Sequence, residues 1–206
     1  MGGIGSTWLG IHRNWRRLRD GVFSRLARGG FASFGRKSHL SLPVTLHRAD
    51  LIAVGAGVYF GPGCWLQALP QHGDGESASE RDLRLDRAPR IEVGDRCSFA
   101  GYDVLSAARR IVVEPGVLFA RNVYVSDHVH AFADPSRPIQ DQGLAKVAEV
   151  VIEEGAWLGQ NVVVCPGVRI GKGAVVGAGS VVNQDVPART LAVGAPARVV
   201  KELARS

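Results

Sequence analysis

The chain has 206 residues, 46% hydrophobic and 21% charged, with 26 glycines. It is long enough to bury one substantial core, and it holds no run of about 18 apolar residues that would span a membrane. Net charge is +6, but residues 1–50 carry nine Arg and Lys against Asp20 and Asp50, while the other 156 residues carry 16 basic and 17 acidic side chains. A nucleic-acid reader would spread its positive field over the folded body, so that class is set aside.

The first predicted element is a basic N-terminal segment, residues 1–39. Ile11, Trp15, Leu18, Val22 and Leu26 recur at helical spacing opposite an arginine-rich face, and Gly29 and Gly30 supply a stop. Such a helix packs on the body or a neighbouring subunit, or makes peripheral contact with an anionic membrane. Its basic residues interleave with apolar ones, leaving no signal-peptide core. The expected location is cytoplasmic, with association at the inner face of the membrane as the variant that this segment allows.

From residue 40 to 195 the chain counts in sixes. Ile152, Leu158, Val164, Ile170, Val176 and Val182 are aliphatic, and two positions before each stand Val150, Ala156, Val162, Val168, Ala174 and Ser180. The same register holds in Val54, Phe60 and Leu66, in Val93, Phe99 and Leu105, and in Val113, Phe119 and Val125. A helix needs a period near 3.6 and a simple strand needs 2. Six is met by short strands joined by sharp turns, each turning one large and one small residue inward. Three such units close one triangular coil, and the coils stack. The body is therefore an all-β parallel β-helix. Cys64 and Cys97 fall at small inward positions, and three dispersed cysteines read as buried hydrophobes of a reducing compartment.

The register lapses at 67–92 and at 127–149. Loops thrown from a rigid scaffold are where binding and chemistry concentrate, and the second of them opens with His128 and His130. Residues 196–206 read as a strand or short helix covering the last coil, which protects an open β edge.

The pieces "SDHVHAFADPSRPI", "GAWLGQNVVVCPGVRIGKGAVVGAGSVVNQDVP" and "AVGAPARVVKEL" resemble the hexapeptide-repeat acyltransferases, in particular the maltose/galactoside and polysaccharide O-acetyltransferases. The resemblance covers about residues 50–204. It implies left-handed coils, a homotrimer with active sites between subunits, acetyl-CoA as co-substrate without a metal, and a saccharide or other hydroxylated acceptor.

By that resemblance His128 is the catalytic base. The chemistry agrees, because a sugar hydroxyl attacks a thioester only as its proton is removed, and an imidazole of ordinary pKa near 6.5 is largely neutral at pH 7. Asp127, Asp134 and a backbone carbonyl are the candidates for orienting it. His130 either lines the acceptor pocket or supports the loop. The resemblance also implies that Trp157, Gly159, Gln160, Gly177, Ala178, Asn183, Gln184, Arg198 and Lys201 hold the CoA. Trp157 would flank the pantetheine, the Gln160 N–H would face the thioester oxygen, and Arg198 and Lys201 would meet the phosphates. Gln184 stands where many relatives carry Lys.

On the acceptor side the position of the family's sugar-binding Asn is Ala100, so maltose or galactoside does not transfer, and Tyr102 and Asp103 are the neighbouring polar candidates. Direct transfer is expected, with Cys165 a repeat residue and not a nucleophile. The rivals are N-acetylation of an amino sugar, acetylation of an antibiotic, serine acetylation and a noncatalytic trimeric scaffold. A zinc carbonic anhydrase on the same coils needs three converging imidazoles, and only two histidines fall in the latter half of the chain.

Overall fold

The computed structural model describes residues 3–69, 88 and 90–204, with side chains from residue 14 onward. The centre of the first predicted loop, 70–87, lies outside the described residues, as does the side chain of Ile11.

Helix α1 (Gly3–Ala27) leads into six coils of three short strands. The first coil is β1 (Ser33–Phe34), β2 (His39–Leu40) and β3 (Thr45–His47); the second is β4 (Ile52–Val54), β5 (Tyr59–Phe60) and β6 (Trp65–Ala68). The third is β7 (Ile91–Val93), β8 (Ser98–Phe99) and β9 (Val104–Ala107); the fourth is β10 (Ile111–Val113), β11 (Leu118–Phe119) and β12 (Tyr124–Ser126). A hairpin of β13 (Val129–His130) and β14 (Leu144–Ala145) then leaves the stack. The fifth coil is β15 (Val150–Ile152), β16 (Trp157–Leu158) and β17 (Val163–Val164); the sixth is β18 (Arg169–Ile170), β19 (Val175–Val176) and β20 (Val181–Val182). The coils wind left-handed.

Three parallel sheets form the sides of the prism, and they are called here A (β1, β4, β7, β10, β15, β18), B (β2, β5, β8, β11, β16, β19) and C (β3, β6, β9, β12, β17, β20). The six-residue register is also the register of pairing. Val54, Val93, Val113, Ile152 and Ile170 stack inward on sheet A. Phe60, Phe99, Phe119, Leu158 and Val176 stack on B, and Leu66, Leu105, Val125, Val164 and Val182 on C. Nearly all of these are fully buried. Cys64 and Cys97 are buried beside them, and burial pushes their thiols up to about 12 and about 11. Both are packing residues.

Close stacking dictates the glycines at some corners. A Cβ on Gly159 would lie 2.6 Å from the Ala178 nitrogen, and one on Gly177 would lie 2.7 Å from Val193 Cγ1. At the corner between B and C, Asn122 and Asn161 take left-handed backbone, at φ 62° and 59°. Asn tolerates that region better than most residues, and here Asn122 Nδ2 also donates to Asn161 Oδ1 at 2.9 Å.

Two boundaries differ from the sequence reading. The first coil starts at Ser33 and not at residue 40: Phe34, Leu40 and Leu46 already keep the six-residue register and pair with Val54, Phe60 and Leu66 of the next coil. At the other end, β21 (Thr190–Val193) adds a seventh strand to sheet B, and β22 (Arg198–Glu202) folds back antiparallel on it. The covering element is thus a hairpin. Among the described residues no helix is long and apolar enough to cross a membrane.

The helix is turned over relative to expectation. Asp20 and Ser24 are buried and Phe23 and Ala27 pack on the core, while Trp15, Leu18, Val22 and Leu26 face outward. Ser24 makes this possible. Its Oγ accepts the Leu40 N–H at 2.9 Å and donates to the Asp20 carbonyl at 2.7 Å, pairing a backbone donor on the free edge of β2.

Candidate active site

Chain direction fixes the corner from which His128 projects. Strand β12 ends at Ser126, at the corner between C and A, and the backbone then diverges into the β13–β14 hairpin. Asp127 stays inside. Its carboxylate is completely buried and accepts the Ala108 N–H at 2.8 Å through Oδ1 and the Arg109 and Arg110 N–H groups, each at 2.7 Å, through Oδ2. Those donors belong to the preceding corner, where three successive N–H groups converge on one carboxylate.

Asp127 Oδ1 also lies 2.8 Å from His128 Nδ1. Burial alone would raise the Asp127 pKa, but the bond to His128 and the three backbone donors together hold it below the ordinary carboxylate value. With Asp127 ionised, the Nδ1 contact requires the proton on Nδ1, which leaves Nε2 as the lone-pair acceptor. Ser126 completes the frame: its Oγ donates to the His128 carbonyl at 2.8 Å. The His128 side chain is only 9% exposed, so the ring is held and largely shielded from water. Behind it, Arg110 is clamped on the face of sheet A by Glu92 at 2.8 Å and by Glu149, which steadies the peptide that donates to Asp127.

Of the three candidate orienting groups, Asp127 is the one in contact. Asp134 is occupied elsewhere, its carboxylate accepting the Ser136 N–H at 2.9 Å and Oγ–H at 2.6 Å. Adjacent residues on a strand point to opposite faces, but the strand has ended at Ser126 and that rule no longer holds. His130 is exposed on β13, opposite Leu144. The loop beyond it is tied by Gln142, whose Nε2 donates to the carbonyls of Asp134 (2.7 Å) and Arg137 (2.9 Å).

Asp103 corrects the sequence reading. It is 1% exposed, so it offers no polar contact to an acceptor. Its carboxylate accepts the Val123 N–H at 2.9 Å and the Gly101 N–H at 3.0 Å, closing a coil corner. Burial outweighs these bonds and pushes its pKa up to about 6. The folded chain therefore binds this proton more tightly than the unfolded chain. The stability it contributes is full below about pH 4, the unfolded value, and is lost as pH rises through about 6. Denaturant titrations across that window are expected to show the loss, with a slope of at most about 1.4 kcal/mol per pH unit, and Asp103→Asn is expected to flatten it. Tyr102 is 51% exposed at the same corner, with Arg121 5.0 Å over its ring.

The remaining sequence candidates fall into two groups. Trp157, Val175, Leu191 and Lys201 are successive partners on the outer face of sheet B. Trp157 is 47% exposed. Gly159 and Gln160 follow β16 and Gly177 and Ala178 follow β19, at the corner between B and C, with Arg198 on β22 beyond them. Asn183 and Gln184 follow β20, and so lie at the corner between C and A, as His128 does. Within one chain, sheet C separates Trp157, Gly159, Gln160, Ala178 and Tyr102 from His128. Cys165 is half-buried, and burial raises its pKa, which works against a thiolate.

The bacterial transferase hexapeptide family (six repeats) matches residues 149–184. Over 93% of this chain and 69% of the relative, the sequence is 34% identical to the Mycobacterium tuberculosis protein named "Probable acetyltransferase Rv3034c". The chain belongs to the hexapeptide-repeat acyltransferase family. Over 58% of its length it is also 34% identical to the Escherichia coli K12 protein named "Putative lipopolysaccharide biosynthesis O-acetyl transferase WbbJ", of which it spans 65%. In fold it is similar to AntD, an N-acyltransferase from Bacillus cereus solved in complex with dTDP and 3-hydroxybutyryl-CoA, with a TM-score of 0.70, 21% identity and 88% of both chains covered.

Proposed function

We propose that this chain transfers an acyl group from acyl-CoA to a sugar, with His128 as the general base. The observation that carries this reading is the Asp127–His128 contact of 2.8 Å, made by a carboxylate already anchored on three backbone N–H groups. An imidazole so held is a positioned proton acceptor and needs no further activation.

In the reaction, His128 Nε2 takes the proton of the acceptor group as its oxygen or nitrogen bonds to the thioester carbon. As the carbon–sulfur bond breaks, the imidazolium returns that proton to the departing thiolate. No acyl-enzyme is involved. Acyl-CoA would lie along Trp157, Gly159, Gln160, Gly177 and Ala178, with Arg198 and Lys201 toward its phosphates. That face and His128 are on opposite sides of sheet C, which supports a trimer in which one subunit's base meets the next subunit's CoA face. On the acceptor side Tyr102 then belongs with the CoA face, and His130 with the hairpin beside the base.

Two acceptor groups are supported by different observations. The likeness to WbbJ favours a hydroxyl of a glycan, over 58% of the chain. The likeness to AntD favours an amine on a sugar and extends over 88% of the chain. It also favours donors larger than acetyl. The deciding experiment is acceptor-dependent CoA-thiol release from acetyl-CoA and 3-hydroxybutyryl-CoA, run across sugars, nucleotide-linked amino sugars and lipid-linked glycans, with product mass and hydroxylamine sensitivity separating ester from amide. Purified protein that neither binds acyl-CoA nor releases thiol with any acceptor would overturn the reading.

A further inference from the structure

We propose that the outward face of α1 is a docking face for an anionic lipid surface. This inference does not depend on the acyl-transfer reading.

Trp15, Leu18, Val22 and Leu26 are 64%, 62%, 51% and 77% exposed, on the side of the helix opposite Asp20, Phe23, Ser24 and Ala27. An isolated exposed Leu needs no explanation, but an ordered stripe of large apolar side chains along three turns does. The position of the helix narrows what can cover it. Ser24 holds α1 on the free edge of β2, the first strand of sheet B. Phe23, Ser24 and Ala27 thus seat the second half of the helix on the end of the coil stack, and the stripe lies on the side of the helix turned away from the coils.

Charge selects the occupant. Arg19 and Arg25 flank the stripe and Arg28 follows it, while Arg16 and Arg17 line a groove toward His39, Ser41 and Tyr59; Asp20, the one acid between residues 14 and 30, is buried and engaged by Arg19 at 2.7 Å. Four of these arginines sit on one helix of about 10–12 Å diameter and Arg28 begins the 3-10 turn that follows it, so the charges beside the stripe lie within about a Debye length (~10 Å) of a surface touching it. A second α1 would bring the same arginines against these, with no exposed acid to meet them. An anionic headgroup layer meets the flanking Arg19 and Arg25, with Arg28 next to them, while the tryptophan and leucine side chains reach the boundary of the acyl chains.

The test is vesicle flotation of the full chain. With phosphatidylcholine vesicles containing phosphatidylglycerol the protein is expected to float, with added salt releasing it, and with pure phosphatidylcholine it is expected to stay behind. Trp15→Ser with Leu26→Ser, and separately Arg25→Gln with Arg28→Gln, should each weaken binding about tenfold or more. These positions are exposed, so circular dichroism and thermal midpoint should be unchanged. No flotation on anionic vesicles, equal binding to neutral ones, or binding indifferent to both double variants would overturn the proposal. So would concentration-dependent self-association in ultracentrifugation that the Trp15/Leu26 variant abolishes, because a second copy would then cover the stripe.

Discussion

Replacing His128 by alanine is expected to lower acceptor-dependent CoA-thiol release by roughly 10²–10⁴-fold, with acyl-CoA binding retained because the proposed CoA contacts are made by other residues. The loss should fall on kcat, since a proton acceptor acts in the transition state and adds little to ground-state binding. Equal turnover would remove His128 from the mechanism. Asp127→Asn separates positioning from base chemistry. The amide can keep one acceptor oxygen, but its NH2 then faces backbone N–H donors that a carboxylate served. Each N–H left without an acceptor costs about 1–3 kcal/mol, so a lower thermal midpoint should accompany a lower kcat. Because Asp127 titrates below the ordinary carboxylate range, the stability it contributes is present above about pH 4 and is lost only as pH falls through its lowered value.

Phe99→Ala is expected to destabilise the chain by about 3–5 kcal/mol, measured as a shift in denaturant midpoint. Phe99 is completely buried and stacks on Phe60 at 4.6 Å and on Phe119 at 4.3 Å between ring centroids. Its removal opens a void in the middle of a column where each ring rests on the coils above and below. Neighbouring strands are tied by parallel ladders on both sides, so the coils cannot close the gap by sliding. The effect should exceed that of Val176→Ala, where less volume is lost and only the closing hairpin follows. A cost for Phe99→Ala near that of an exposed substitution would mean that the stack relaxes far more than its ladders suggest.

The six-residue count was enough to assign the inward residues coil by coil. Each large apolar position chosen by spacing, from Val54 to Val182, pairs with its counterpart in the neighbouring coil along one of three ladders. That is legible because a repeat buries the same position every time, so the pattern itself is the packing. His128 was legible by resemblance and by the lapse in the count. Asp127 was only one of three orienting candidates, because its use depends on where β12 ends and on three backbone donors from residues 108–110, which are near it only after the coil has closed. Asp103 was misread for the same reason. In sequence it is a polar residue beside Tyr102, and in the structure two N–H groups turn it inward.

By itself, then, the sequence determined the period, the core and the family's chemistry, because these are local and repeated. Only tertiary structure decided which carboxylate holds His128, that Trp157, Gly159, Gln160 and Ala178 lie across sheet C from it while Asn183 and Gln184 share its corner, and that α1 shows its apolar stripe to the outside. Amphipathic spacing says that a helix has two faces. Which face is buried was decided by one long-range contact, Ser24 on the unpaired edge of β2, because an open strand end must pair its backbone donor before any apolar stripe can claim the site.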